Sequence, residues 1–215
     1  CHIGVTSDDD PTVMCRIEAG TFVMGGDEES AAPAHEVWTS EYFLDRHEVT
    51  VAEYEGCVDR EECRPADASC AADMGPRGAA DPVACVSWDD AAAYCRSLGK
   101  RLPREAEWEH AARGRTNTLY PWGNDSIPKA ANCDGRACQD PWPEAAPVGW
   151  FGWVPTAFGI RDLAGNVAEW VRDLYAAGYP ATSDLRVDPL GPCGGVGPCV
   201  EIMPDGEDTV LRGVR

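Results

Sequence analysis

Eleven cysteines in a chain of 215 residues constrain what this sequence can fold into. Thiols at that density are rare in reducing compartments, and in oxidising ones they pair. Three pairs lie close together: Cys57 with Cys63, Cys133 with Cys138, and Cys193 with Cys199. Each flanks a loop rich in Gly, Asp or Pro, so a loop stapled by a disulfide is the preferred reading. Zinc is the rival. It favours tighter spacing with histidine nearby, and His2, His35, His47 and His110 are scattered. Cys1, Cys15, Cys70, Cys85 and Cys95 remain. Cys70 with Cys85 and Cys1 with Cys15 are candidate pairs, although spacing alone does not determine connectivity. The odd total leaves at least one thiol without a partner in this chain.

With 44% apolar residues, the chain can bury a real core. No apolar run approaches the roughly 18 residues of a membrane span. The net charge is −19, from 37 acidic and 18 basic residues. Such a surface repels phosphate backbones, which argues against a nucleic-acid partner, while clustered oxygens suit divalent cations. The leading Cys1 is compatible with the lipid-anchored residue of a processed lipoprotein, and equally with a trimmed chain.

Three helices have start signals. Thr50 with Glu53 forms a capping-box pattern that opens a helix over 51–59, and Ser87 with Asp90 opens another that runs to a Gly99 stop. Pro103 at a first-turn position, followed by Glu105 and Glu107, predicts a third helix ending at Gly114. Strands are expected over Gly20-Thr-Phe-Val-Met-Gly25, within 35–49, and over Val167-Ala-Glu-Trp-Val171. Residues 1–18 read as a polar extension, followed by one α+β domain over 19–215. Long irregular stretches at 117–158 and 176–209 need fixing by metals or disulfides.

Several segments, taken together, resemble the formylglycine-generating-enzyme (sulfatase-modifying factor) family. They are Gly20-Thr-Phe-Val-Met-Gly25, Glu48-Val-Thr50, Pro82-Val-Ala-Cys-Val-Ser-Trp-Asp89, and Ala93-Tyr-Cys-Arg-Ser-Leu-Gly-Lys-Arg-Leu-Pro-Arg-Glu-Ala-Glu-Trp-Glu109. Ala111-Ala-Arg-Gly114, Tyr120-Pro-Trp-Gly123, Phe158-Gly-Ile-Arg-Asp-Leu-Ala-Gly-Asn-Val-Ala-Glu-Trp170 and Val210-Leu-Arg-Gly213 follow in order. The resemblance covers about 19–213. It implies a C-type-lectin-like α+β fold with little regular secondary structure. It also implies oxidation of a sulfatase cysteine to formylglycine by molecular oxygen and a copper(I) ion held by two cysteines.

In the family that pair follows the Leu-Arg-Gly segment, whereas this sequence reads Val210-Leu-Arg-Gly-Val-Arg215. The expectation is a missing C-terminal part, by truncation or internal deletion, with no residue here matching the pair. Cys95 stands where the family has a cysteine bonded to one in that part, so it is expected to be the unpaired thiol. Structural calcium is implied at Asp162, Gly165, Val167 and Glu169, and again at Asn132, Cys133, Asp140 and Trp142. Gly165, Val167, Cys133 and Trp142 would offer carbonyls. Two departures stand out: Arg104 replaces a threonine, losing a hydroxyl at a helix start, and Ala168 replaces a tryptophan of the core or cleft.

Two functions follow. One is the family oxidoreductase, with a protein or peptide substrate such as a sulfatase. The other is a non-catalytic, calcium-stabilised, extracytoplasmic binding module. Fold alone does not choose between them.

Overall fold

The computed structural model describes residues 14–26, 33–73, 77–125, 129–133, 140–154, 156–174 and 185–191, together with three short strand backbones at 201–202, 208–209 and 212–214. The described residues form four small sheets and four helices. Strand β1 (Met14–Ile17) pairs antiparallel with β4 (Tyr42–Asp45), and β2 (Gly20–Met24) pairs antiparallel with β3 (His35–Thr39). Strand β6 (Arg186–Val187) joins β3 in parallel. Strand β5 (Trp170–Leu174) pairs with β9 (Arg212–Val214), and β7 (Glu201–Ile202) with β8 (Asp208–Thr209).

The expected strands over 20–25 and within 35–49 are present as β2, β3 and β4. The strand expected over 167–171 starts later, at Trp170, because side-chain and turn contacts hold the preceding residues in a loop. Strand β1 lies in the stretch read as polar. Its Cys15 and Ile17 are nevertheless fully buried against Tyr42, Ala111, Ile160 and Leu163, so the packed unit reaches back at least to residue 14.

Helix α1 (Val51–Asp59) carries the expected capping box: the Thr50 hydroxyl accepts the Glu53 N–H, and the Glu53 carboxylate accepts the Thr50 N–H. Helix α2 (Ala68–Asp73) was not expected; the Asp67 carboxylate before it accepts the Ser69 and Cys70 N–H groups, as an N-cap does. Helix α3 (Trp88–Ser97) repeats the box with Ser87 and Asp90. Helix α4 (Glu105–Arg113) ends at Gly114, whose φ of 63° suits a residue without a β-carbon.

Pro103 does not occupy the first turn of α4 but precedes the N-cap residue, Arg104. That arginine supplies no cap. The Glu107 carboxylate instead accepts the Arg104 N–H at 2.8 Å. Helix α4 packs on β2, β3 and β5; Ala106 joins Phe22, Met24 and Val37, while Ala111 and Ala112 join Cys15, Ile17 and Tyr42 of β1 and β4, and these small side chains let the strands approach. His110 on the same face stacks on Phe22 at 4.9 Å, and its Nδ1 meets the Thr39 hydroxyl at 2.7 Å. It is a satisfied core histidine.

Two of the expected disulfides are formed, Cys57–Cys63 and Cys70–Cys85, which removes zinc as a reading for these four. Cys133 is also disulfide-bonded, and its expected partner Cys138 lies outside the described residues. Cys1, Cys193 and Cys199 lie outside them too. No described helix is long and apolar enough to cross a membrane.

Candidate functional site

Between residues 162 and 169 the chain turns sharply twice. Asp162 and Asn166 both have positive φ, 60° and 67°, a conformation that aspartate and asparagine tolerate better than most residues. The Asp162 Oδ2 accepts the Gly149 N–H at 2.5 Å. The buried Glu48, just before α1, accepts the Asn166 side-chain N–H at 2.6 Å and the Val167 backbone N–H at 3.3 Å. Asn166 also pairs with both backbone polar groups of Ala146. These bonds tie the loop to the start of α1.

Three carboxylates therefore share one enclosed field. Burial, then the charges of Glu169 and Asp162, push the Glu48 carboxyl up to about 9, against the pull of Asn166 and Val167. Burial is also the main cause that pushes Glu169 up to about 7. The Trp108 indole N–H points towards Glu169 and steadies its charge, without meeting strict hydrogen-bond geometry. Asp162 is raised by burial and held back by the Gly149 N–H, His47 and Arg161. Of the expected ligand set, the structure brings Asp162 and Glu169 together around 165–167. Glu48 is the participant the sequence reading missed as a site residue, although it belongs to the Glu48-Val-Thr50 segment.

The second expected set lies alongside. The Asn132 side-chain N–H2 donates to Asp140 Oδ1 at 3.1 Å, to the Trp142 carbonyl at 3.3 Å and to the Glu144 carbonyl at 2.8 Å. Three oxygens thus face one point. Turning the amide over would add a fourth, its Oδ1, and give the all-oxygen surroundings that hard cations take. Asn132, Asp140 and Trp142 lie together, and Glu144 joins them. The loops touch directly: the Asn166 N–H donates to the Asn132 carbonyl at 2.9 Å, and a β-carbon on Gly165 would stand 1.8 Å from that oxygen. Among the described residues no three His, Cys, Asp or Glu side chains group tightly enough to hold a metal ion by themselves. Amide and carbonyl oxygens would have to complete either shell.

Beside the first loop opens a cleft of about 450 Å³. Tyr42 and Leu44 of β4, Tyr94 and Cys95 of α3, and Leu163 and Ala168 form much of its wall. Cys95 is a half-buried thiol with no disulfide. Burial first, then Asp45, pushes it up to about 11.

A family model for a sulfatase-modifying factor enzyme 1-like domain matches residues 5–213. The chain belongs to this family. The formylglycine-generating enzyme of Bos taurus is 29% identical over 94% of this chain and 65% of its own length. The inactive C-alpha-formylglycine-generating enzyme 2 of Bos taurus is 43% identical over 49% of this chain and 36% of its own length. Among solved structures, PvdO from Pseudomonas aeruginosa superposes with a TM-score of 0.66 at 28% identity, covering 81% of this chain and 76% of that one. This chain therefore spans about two thirds or less of the curated relatives it matches.

Sulfatase-modifying-factor domains thus include proteins named as active and as inactive, and the residues decide. A two-thiolate copper(I) site needs two soft sulfurs side by side. Among the described residues Cys57, Cys63, Cys70, Cys85 and Cys133 are disulfide-bonded, Cys15 is sealed in the core, and Cys95 stands apart on α3. These residues do not fit such a site. Ala168 lines the cleft.

Proposed function

We infer that this domain holds a cysteine-bearing segment of a protein substrate, of the sulfatase type, in the cleft beside Cys95. The observation that carries the reading is that cleft, walled by Tyr42, Leu44, Tyr94 and Leu163, on a sulfatase-modifying-factor scaffold. Apolar walls with a few polar groups suit a peptide side chain leaving water. The reaction proposed for the whole protein is oxidation of that cysteine to formylglycine with copper and oxygen, on a C-type-lectin-like fold. It requires a thiolate pair from outside the described residues. The second reading is a calcium-stabilised binding module without turnover, favoured by the lack of fit between the described thiols and copper(I).

Calcium is proposed at the two touching loops, with Asp162, Glu169 and Glu48 at one and Asn132, Asp140 and Trp142 at the other. An extracytoplasmic location is proposed because the disulfides need an oxidising compartment to persist. The test is to incubate the protein with copper(I), oxygen and a cysteine peptide of sulfatase type. Mass spectrometry follows conversion and calorimetry follows binding. Conversion supports the enzyme, binding without conversion supports the module, and the absence of both binding and conversion sinks the cleft assignment.

A further inference from the structure

Three buried tyrosines border the cleft beside Cys95, and one differs from the other two. The Tyr42 hydroxyl donates to the Glu107 carbonyl at 2.5 Å, and the Tyr54 hydroxyl donates to the Arg64 carbonyl at 2.9 Å. Tyr94, on α3, is only 7% exposed and stacks on Tyr54 with ring centroids 5.6 Å apart. Its hydroxyl has no hydrogen-bond partner among the described residues. Buried hydroxyls are nearly always paired, so this one lacks a partner that the fold does not supply. The oxygen is not sealed, so it opens into the space that Tyr94 lines. That space is the 450 Å³ cleft and an adjoining chamber of about 290 Å³. Asp45, Tyr94 and Lys100 border both, so Tyr94 stands where the two meet. Burial first, then Glu53, Asp45 and Cys95, push the hydroxyl up, against the pull of Arg60, so it keeps its proton and can donate.

We propose, on the reading of the cleft as a peptide site, that the Tyr94 hydroxyl donates to a backbone carbonyl of the bound segment and so fixes its register. Other partners fit worse. An anionic acceptor would face Glu53 and Asp45. A cationic group would face Arg60, and also Lys100, whose Nζ lies 2.6 Å from Asp45. A neutral carbonyl meets neither charge unfavourably, and a peptide carries one at every residue. The ring is already fixed by its stack on Tyr54, so little side-chain freedom is lost when the bond forms. Water takes the place until the peptide displaces it.

The test measures, by calorimetry on the intact protein, the affinity for a cysteine peptide of sulfatase type. Tyr94→Phe keeps the ring and its stack and removes only the oxygen. It is expected to weaken binding roughly three- to tenfold, the size of one hydrogen bond. Its melting temperature should stay the same or rise, because no partner inside the protein is lost. The peptide is then remade with single backbone ester linkages, whose carbonyls are weaker acceptors. At one position the ester should weaken binding to the wild type and leave binding to Tyr94→Phe as it was, which is the coupling that a direct contact gives. Failure of the wild type to bind the peptide sinks the reading of the cleft, and this contact with it. Wild-type binding that Tyr94→Phe leaves unchanged overturns the contact alone. A weakened variant with no ester position coupled to it overturns the assignment to a backbone carbonyl.

Discussion

The Asp173 carboxylate on β5 accepts the Glu105 backbone N–H at 2.8 Å, capping α4 from 68 positions further along the chain. The helix start that Arg104 leaves without a side-chain cap is thus completed by tertiary contact. Asp173→Ala is expected to cost about 1–2 kcal/mol of stability by urea denaturation, the range of a lost N-cap. Asp173→Asn, which keeps an acceptor oxygen, should cost less.

The buried carboxyls set a pH dependence. Glu48, Glu169 and Asp173 are pushed up to about 9, 7 and 6, in each case first by burial. A raised carboxyl binds its proton more tightly in the folded state, so stability falls as pH rises from the unfolded values through these folded ones. In chelator, the melting temperature should therefore drop between about pH 5 and pH 9. His110 acts oppositely: burial lowers it, so protonation of the unfolded chain subtracts stability below about pH 6.5. A bound divalent cation favours the ionised carboxylates. Millimolar calcium should raise the melting temperature most at the alkaline end. A calcium effect equal at all pH values would count against ligation by these carboxylates.

Gly165 is irreplaceable on two grounds, a φ of 82° and the Asn132 carbonyl beside it. Gly165→Ala should destabilise the protein by about 3 kcal/mol or more, since strain and overpacking act together. Gly99, with positive φ but open space around it, should tolerate alanine better. Denaturation midpoints of the two variants compare them directly.

Cys95 should be a slow nucleophile. A thiol pushed up to about 11 holds very little thiolate at neutral pH. Alkylation at pH 7.5, mapped by peptide mass spectrometry, should run roughly a hundredfold slower than for a free cysteine peptide. Fast labelling would show that the cleft is more polar than its walls suggest.

Local signals were legible where neighbouring residues carry the whole interaction. Thr50 with Glu53 and Ser87 with Asp90 announce α1 and α3 because a capping box closes within four residues. The Cys57–Cys63 staple is local in the same sense. Ordered motifs, through resemblance, also pointed to Asp162, Glu169, Asn132 and Asp140. Less legible were β1 as core, the late start of β5, and Glu48 as the third carboxylate. Each depends on a partner far along the chain, such as Tyr42 for Ile17 and Asn166 for Glu48.

The sequence by itself pointed to the family and to the starts of α1 and α3, because those rest on ordered motifs and on contacts that close within a few residues, and it offered Cys57–Cys63 and Cys70–Cys85 as candidate pairs. Only the tertiary structure decided that two candidate metal loops share one contact at Gly165 and Asn132. It also decided that Asp173 caps α4 and that Trp150 and Trp153 face outward. The physical reason is that burial, which sets a carboxyl's charge cost and a backbone N–H's need for a partner, exists only once distant segments have packed.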